Sequence, residues 1–232
     1  MKKDIISLDR VSKHYQMGET TVKALDDIDL KMAAGELIAI LGPSGAGKTT
    51  LLNVLGGITT PTNGTVNIFG KEIQDFSTAE LAGYRRKNVS FIFQFFNLLP
   101  TLNAMENVEV AIEMLGSKKE VKKIAKRYLE DVGLADRVNH FPSQLSGGEQ
   151  QRVGVARALA KQPFTDGNFM VLCDEPTGNL DEKTGDKVLK LIKNLSEEHN
   201  ATFIIVTHNK LIVEKLAAKE IHIHDGRITE HN

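Results

Sequence analysis

The sequence predicts an α/β fold with a mostly parallel β-sheet, and three patterns support this prediction. Four short apolar runs are each followed directly by polar residues, as is typical of strands buried on both faces. Segments with apolar residues at helical spacing separate the runs. The first ~35 residues instead alternate apolar and polar positions, which indicates antiparallel strands. The four runs are Leu37–Leu41, Val89–Phe93, 170–173 and 203–206.

The helical pattern is clearest in two segments. Residues 188–195 and 121–132 place apolar side chains at i, i+3, i+4 and i+7, on one face of a helix. The second segment stops at Gly133, and glycine commonly follows the last turn of a helix. Residues 221–226 predict a β-hairpin, because an Asp-Gly pair follows a short alternating strand.

We expect one domain over residues 1–232. The chain has 232 residues, and no repeat or linker-like segment divides it. Residues 96–157 show no strand pattern and predict a mainly helical subdomain inserted into the sheet. Residues 1–95 and 158–232 then form the core, together with the antiparallel β subdomain.

Composition and charge exclude several classes of protein. With 29 Lys and Arg against 30 Asp and Glu, the chain lacks the basic excess of a nucleic-acid binder, so we expect no nucleic-acid partner. The lone Cys173 excludes an intramolecular disulfide and fits a reducing compartment. No signal peptide and no apolar run of ~20 residues is recognisable. We therefore expect a cytoplasmic polypeptide that reaches a membrane only through a partner.

The segment after the first apolar run predicts a phosphate site. Residues 42–49 match the P-loop pattern G-x-x-x-x-G-K-[ST]. Its glycines allow backbone N–H groups to wrap phosphates at a helix N-terminus, whereas Lys48 reaches the β- and γ-phosphates and the Thr49 hydroxyl ligates Mg²⁺. An ordinary glycine turn before a helix is the alternative. The candidate binding residues are Gly42, Pro43, Ser44, Gly45, Ala46, Gly47, Lys48, Thr49 and Thr50.

Two adjacent acidic residues end the third run. Burying Asp174 and Glu175 together is costly unless a cation or a substrate matches their charge. In nucleotide hydrolases such an aspartate holds Mg²⁺, directly or through water, and Glu175 can act as the general base on the attacking water. A solvated strand end is the alternative. Together with the P-loop, the pair predicts a magnesium-dependent nucleotide hydrolase.

A third motif indicates the family. Residues 145–150, LSGGEQ, resemble the LSGGQ signature of the ATPase subunits of ABC (ATP-binding cassette) systems, with Glu149 at the fifth position. Gln94 resembles the Q-loop residue, 178–181 the D-loop and His208 the switch histidine, all in the family's order. The resemblance covers residues 6–227 and implies a P-loop NTPase (RecA-like) core, with the signature on the helical subdomain.

The resemblance also implies roles at the nucleotide. Gln94 ligates Mg²⁺, His208 bonds the γ-phosphate, Tyr15 stacks on adenine, and Asp181 acts across a dimer contact. The residues alone leave alternatives open. His208 could be a structural residue at a strand end, Tyr15 could be a half-buried strand residue, and Asp181 could cap the following helix. Gln94 and His208 follow predicted strands, whereas Tyr15 lies in the antiparallel N-terminal segment.

The signature residues form a second candidate phosphate site. Ser146, Gly147 and Gly148 precede a helix predicted over 149–160, so their N–H groups can bind an anion. By resemblance they face the P-loop of a second protomer, so that two ATP molecules lie between the two copies. The alternative is that Ser146 is an ordinary N-cap.

The closest resemblance is to the subgroup with lipoprotein-releasing, macrolide-exporting and cell-division (FtsE-like) ATPases. It implies ATP and Mg²⁺ as ligands, a second ATPase subunit, a transmembrane permease subunit, and a location on the cytoplasmic face of the membrane. One alternative is an FtsE-like ATPase that regulates a cell-envelope process without transport. Two other ABC classes fit less well: a DNA-repair ATPase would need a long coiled coil, and a translation ATPase usually has two cassettes per chain.

Phe95, Phe96 and 98–100 could form the groove for a partner's helix, with Phe91 and Phe93 in the core.

Overall fold

The computed structural model describes residues 4–116 and 120–231, and these form two sheets and a set of helices around them. The strands are β1 Asp4–Met17, β2 Thr20–Ala33, β3 Leu37–Leu41, β4 Asn63–Ile68, β5 Lys71–Glu72, β6 Val89–Phe93, β7 Met170–Asp174, β8 Thr202–Thr207, β9 Lys219–His224 and β10 Arg227–His231. The α-helices are α1 Lys48–Leu55, α2 Thr78–Asn88, α3 Ala104–Glu113, α4 Val121–Asp131, α5 Gly147–Leu159, α6 Glu182–Glu198 and α7 Lys210–Leu216.

The larger sheet has the strand order β10-β9-β3-β8-β7-β6. Neighbouring strands from β9 to β6 run parallel, and β10 pairs antiparallel with β9 as the predicted hairpin. In this register Leu41 lies opposite Thr207, and Phe93 lies opposite Asp174. The strand ends that were predicted to carry reactive residues therefore meet at one edge of the sheet.

The smaller sheet, β2-β1-β4-β5, is antiparallel throughout. The predicted fold class is thus confirmed: a mostly parallel sheet with an antiparallel β subdomain and helices, in the P-loop NTPase fold. Helix α1 lies between the two sheets, where Leu51 packs in one core with Ile6 and Leu25.

The inner parallel strands β3, β8 and β7 are mostly apolar because each face of the sheet packs against a different core. Along β7, Val171 and Cys173 join a core with the helices α3 to α6, whereas Met170 and Leu172 join the core around α1. This alternation follows from the two-residue period of a strand, whose side chains point to opposite faces in turn. Cys173 is therefore a packing residue.

A polar side chain fixes the segment that leads from β6 into α3. Asn107, on α3, is fully buried, and its Oδ1 accepts a hydrogen bond from the N–H of Leu99 at 2.8 Å. Its Nδ2 donates to the carbonyl oxygens of Leu99, Leu102 and Asn103 at 2.9–3.1 Å. One side chain thus satisfies the backbone of a segment that belongs to no strand or helix.

We expect Asn107→Ala to lower the free energy of unfolding by about 2–4 kcal/mol, because it leaves several buried backbone groups without partners. Asn107→Asp, which keeps an acceptor but loses both donors, should also destabilise the protein. Urea denaturation followed by circular dichroism measures both changes. A loss below about 0.5 kcal/mol for the alanine variant would mean that water replaces the side chain.

Candidate active site

A cavity of about 940 Å³ opens at the carboxyl edge of the parallel sheet. The residues that line it come from the hairpin β1–β2, the glycine-rich loop, the ends of β6, β7 and β8, and the β9–β10 turn. The lining residues are Val22, Lys23, Ala24, Pro43, Ser44, Gly45, Gly47, Lys48, Thr49, Thr50, Gln94, Asp174, Glu175, His208 and Asp225.

The glycine-rich loop connects β3 to α1 and ends at Gly47, the N-cap of α1. Gly47 has φ = 101°, and a Cβ there would collide with the carbonyl oxygen of Ala24. Only glycine fits this position without strain. The loop therefore leads directly into a helix N-terminus at the cavity, the usual arrangement for binding phosphate.

Lys48 lies at the base of the loop with only 8% of its surface exposed. Its Nζ donates hydrogen bonds to the carbonyl oxygens of Gly42 and Pro43, both at 2.8 Å. An ammonium group has three protons to donate, so one remains for an oxygen in the cavity. Lys48 thus lines the cavity with a donor to spare, and its role at a phosphate stays a prediction.

Asp174 is the last residue of β7 and lies next to Thr49. Thr49 Oγ1 lies 3.5 Å from Asp174 Oδ2 and donates to it. Burial and the neighbouring Glu175 raise the pKa of Asp174, and the bond from Thr49 and the charge of Lys48 oppose that rise. The neighbouring positive charge therefore does not fully balance the negative charge of the ionised Asp174. A hydroxyl oxygen next to a carboxylate is a pair of ligands suited to Mg²⁺.

Glu175 and His208 are in direct contact. Glu175 Oε1 and His208 Nδ1 are 2.7 Å apart. An ionised carboxylate can only accept, so Nδ1 carries the proton in this bond and Nε2 is the ring nitrogen left for another partner. Glu175 has φ = 46°, a conformation that costs free energy for a residue with a side chain and is often found at functional sites.

Gln94 is held at the cavity by a reciprocal pair of hydrogen bonds with Asn179. Gln94 Nε2 donates to Asn179 Oδ1 at 3.2 Å, and Asn179 Nδ2 donates to the carbonyl oxygen of Gln94 at 3.0 Å. The first bond uses the side-chain NH₂ group of Gln94 and the second its backbone carbonyl oxygen. The side-chain Oε1 is therefore the atom that remains for a cation. The partner of Gln94 comes from the 178–181 segment that was singled out in the sequence.

The signature residues are not among those that line the cavity. Helix α5 begins at Gly147, two residues earlier than predicted, because Ser146 is its N-cap and accepts a hydrogen bond from Glu149 N. The N-cap alternative for Ser146 is therefore correct as local structure. An N-cap does not exclude an anion site, because the N–H groups of the first turn of α5 lie at the same helix end.

Two further predicted residues lie beside the cavity. Asp181 accepts from Thr184 N as the N-cap of α6 and lines a second cavity, of about 460 Å³, which it shares with Glu175 and His208. Tyr15 is 38% exposed on β1, where it pairs with Val22, a residue of the large cavity. Lys13 Nζ lies 5.2 Å above the tyrosine ring.

Gly42 and Ala46 belong to the loop but are not lining residues. The carbonyl oxygen of Ala46 instead accepts a hydrogen bond from Gly226 N at 3.0 Å, which holds the β9–β10 turn against the loop. Asp225 enters the cavity through this contact. The sequence indicated the turn but gave no signal for its position beside the loop.

Gln151 is a further residue that the sequence did not reveal. It is fully buried on α5, and its Nε2 donates to the carbonyl oxygen of Pro176 at 2.6 Å and to that of Phe93 at 3.4 Å. It thereby ties the signature helix to the segments that carry Gln94 and Glu175. In the sequence, the only indication of a role for Gln151 was its position next to the signature residues 145–150.

Comparison with known proteins decides the family. The family model described as "ABC transporter" matches residues 25–178. The chain belongs to the ABC transporter family. It is therefore an ATP-binding ATPase cassette, as the sequence resemblance implied.

Curated ABC relatives are similar over nearly the whole chain. An uncharacterised ABC transporter ATP-binding protein from Thermotoga maritima is 46% identical and covers 97% of this chain and 94% of its own length. The lipoprotein-releasing system ATP-binding protein LolD from Shewanella frigidimarina is 44% identical and covers 93% and 87%, respectively. These relatives agree with the predicted subgroup.

A solved ABC cassette has the same fold. It is described as the dimeric structure of a post-hydrolysis state of the ATP-binding cassette MJ0796 bound to ADP and Pi, and a curated relative of that name comes from Methanocaldococcus jannaschii. Its TM-score to this structure is 0.84 at 39% identity, with 98% of this chain and 97% of that chain covered. Among the described residues of the present cassette, no helix is long and apolar enough to span a bilayer.

We expect Asp174→Asn to stabilise the cassette in the absence of nucleotide and divalent cations, by roughly 0.5–2 kcal/mol at pH 7. A carboxyl whose pKa is raised by folding opposes folding when it is ionised. The gain should therefore shrink as the pH falls and the wild-type carboxyl takes up its proton. Thermal denaturation in EDTA between pH 7 and 4 measures it. Equal stability of the two proteins at pH 7 would contradict the proposed charge imbalance.

Proposed function

We propose that this ABC ATPase hydrolyses ATP in the large cavity, with Mg²⁺, and thereby drives transport by a transmembrane permease subunit. The observation that supports this proposal most is the convergence of three groups at one cavity. These are Lys48 on its glycine loop, the Thr49–Asp174 pair and the Glu175–His208 pair. Each supplies one part of phosphoryl transfer to water: anion binding, a metal site and proton removal.

The loop and Lys48 bind the triphosphate. The loop supplies backbone N–H groups, Thr50 lines the cavity at the start of α1, and Lys48 supplies a positive charge that its carbonyl partners keep in place. Tyr15 stacks on the adenine ring, because it lies on the β1–β2 hairpin that forms one wall of the cavity. Stacking on an aromatic ring adds about 1–3 kcal/mol per base in related sites.

Thr49, Asp174 and Gln94 would hold the magnesium ion. They offer a hydroxyl, a carboxylate and an amide oxygen, all hard oxygen ligands, and the uncompensated charge of Asp174 favours a cation there. When bound, Mg²⁺ would supply positive charge that offsets the negative charge developing on the phosphate oxygens. The described residues contain no group of three or more His, Cys, Asp or Glu that could hold a metal ion.

Glu175 accepts a proton from the attacking water, whose oxygen then bonds to the γ-phosphorus as the bond to the β-γ bridging oxygen breaks. His208 orients Glu175 through its Nδ1 proton. It could also donate from Nε2 to the γ-phosphate only as the imidazolium, in which both ring nitrogens carry a proton. The contact between these two side chains explains why neither residue would act alone.

Dimerisation would complete the site. Ser146, Gly147 and Gly148 lie away from the cavity of their own protomer, so we propose that they contact the ATP bound by a second copy. The similar cassette MJ0796 is dimeric in its ADP and Pi complex. Asp181 lies in the cavity next to Glu175 and His208, on the surface that the second copy would then cover.

The permease would dock beside the Gln94 segment. A groove of about 540 Å³ is lined there by Phe91, Phe93, Asn97, Met114 and Arg157, among others. Phe91 and Phe93 line this groove because β6 is the edge strand of the sheet, and Phe91 also packs against the core, as predicted. The groove residues predicted from the sequence, Phe95, Phe96 and 98–100, are not among those that line it. Relatives named for lipoprotein release support a transporter role for this chain at the cytoplasmic face of a membrane.

The domain boundaries are part of the same proposal. Residues 1–232 form one ATPase domain, with 1–95 and 158–232 as the nucleotide-binding core and 96–157 as the signature subdomain. Helices α3, α4 and all but the last two residues of α5 lie in the inserted segment, and they share a core with α6 and one face of the main sheet. That shared core supports a single domain rather than two.

We expect Lys48→Ala to abolish tight ATP binding, because it removes the buried positive charge at the phosphates and exposes the loop carbonyl groups that it holds. Fluorescence titration with a labelled ATP analogue measures the affinity. Lys23→Ala, which removes another lysine at the rim of the same cavity, is the matched control and should bind nearly normally. Micromolar binding by the Lys48 variant would contradict the assignment of the phosphate site.

We expect Glu175→Gln to bind ATP but to lose about 10²–10⁴-fold in turnover, because the amide cannot accept the water proton. The variant should then accumulate as an ATP-bound dimer. Phosphate release and light scattering measure the two effects. Turnover within threefold of the wild-type rate would exclude Glu175 as the base, and a monomer at saturating Mg-ATP would exclude the proposed homodimer.

A further inference from the structure

We infer that Arg137 is a positioning residue for the ABC signature. Through its ion pair with Glu149, it offsets a negative charge that would otherwise oppose the γ-phosphate of the ATP bound by a second protomer. This inference rests on the proposed dimer, and it concerns the position where this chain departs from the LSGGQ signature.

Glu149 is bound on both carboxylate oxygens. Its Oε2 accepts from Ser146 N at 2.9 Å and from Ser146 Oγ at 2.8 Å, and its Oε1 accepts from Arg137 Nε at 3.2 Å. The hydrogen bonds from Ser146, followed by Arg137, lower the pKa of Glu149. The side chain therefore carries a full negative charge at neutral pH, whereas the glutamine of the LSGGQ pattern carries none.

This charge lies where a phosphate is proposed to arrive. The hydroxyl of Ser146 points back to Glu149, and the N–H groups of the first turn of α5 are the anion site. A carboxylate within one helical turn of that site repels a second anion, and repulsion over such a distance is only partly screened at physiological salt. The signature of this chain thus needs a compensating cation.

Arg137 is the cation that the described part of the chain provides within 4.0 Å of Glu149. It belongs to the turn Ala135–Arg137, which follows α4. Backbone hydrogen bonds hold this turn on both sides: Arg137 N donates to Leu134 O at 3.0 Å, and His140 N donates to Arg137 O at 2.9 Å. The guanidinium group is therefore presented from a backbone held by hydrogen bonds, and the Arg137 side chain itself is 46% exposed.

The test uses the full chain with Glu175→Gln as the parent, and it measures the ATP concentration that gives half-maximal dimer by light scattering with Mg²⁺. We expect Arg137→Ala to raise this concentration about three- to tenfold in low salt, and Arg137→Lys to raise it less. The effect should shrink at 0.5 M NaCl, as expected for a Coulombic effect. Lys126→Ala, which removes an exposed cation paired with Glu130 on α4, is the matched control and should change it less than twofold.

The double variant separates charge compensation from a merely structural role. In an Arg137→Ala, Glu149→Gln protein, the half-maximal concentration should return to that of Glu149→Gln alone, because there is no longer a charge to offset. An Arg137→Ala effect no larger than the control, or one that persists undiminished in the Glu149→Gln background, would overturn the inference while the parent still dimerises. Failure of the parent to dimerise would instead overturn the proposed dimer, and the inference with it.

Discussion

The in-register parallel pairing of β3, β8, β7 and β6 is the constraint on which the rest of the structure depends. It aligns the last residues of four strands at one edge, so that the loop before Lys48 and the side chains of Asp174 and His208 face one cavity. A shift of one residue in any strand would turn its terminal side chain to the other face of the sheet. The two apolar cores, one on each face, prevent such shifts.

Long-range polar contacts then fix the loops that the sheet only brings near each other. The β9–β10 turn is bonded to Ala46, and Arg227 pairs with Asp26 at 2.8 Å, so the hairpin β1–β2 and the glycine loop are held by the same turn. Gln151 fixes α5 to the segment after β7, and Arg157 donates to the carbonyl oxygens of Phe96 and Asn97 at 3.0 and 2.6 Å. The signature helix is thus coupled directly to the Gln94 segment.

The sequence predicted those features that local patterns encode. The strands were visible as apolar runs, the phosphate loop as spaced glycines before a lysine, and Asp174 and Glu175 as charges at a buried strand end. It could not predict the Glu175–His208 contact, the place of Asp225 or the bonds of Asn107. These depend on which strands are neighbours and how distant turns pack, and no local pattern records either. The predicted start of α5, at residue 149, was two residues too late. Ser146 is the N-cap, so Gly147 and Gly148 already belong to the first turn of the helix.

The isolated protomer is electrostatically incomplete in two complementary ways. On one surface Asp174 and Glu175 place two acids side by side, so the site favours the arrival of a cation with the triphosphate. On the other, the helix N-terminus at Ser146 is already occupied by the carboxylate of Glu149, whose charge is shared with Arg137. The phosphate of a second protomer must therefore compete with an internal anion. A signature of this kind would make closure of the dimer sensitive to the full charge of the γ-phosphate, and its loss on hydrolysis would favour reopening.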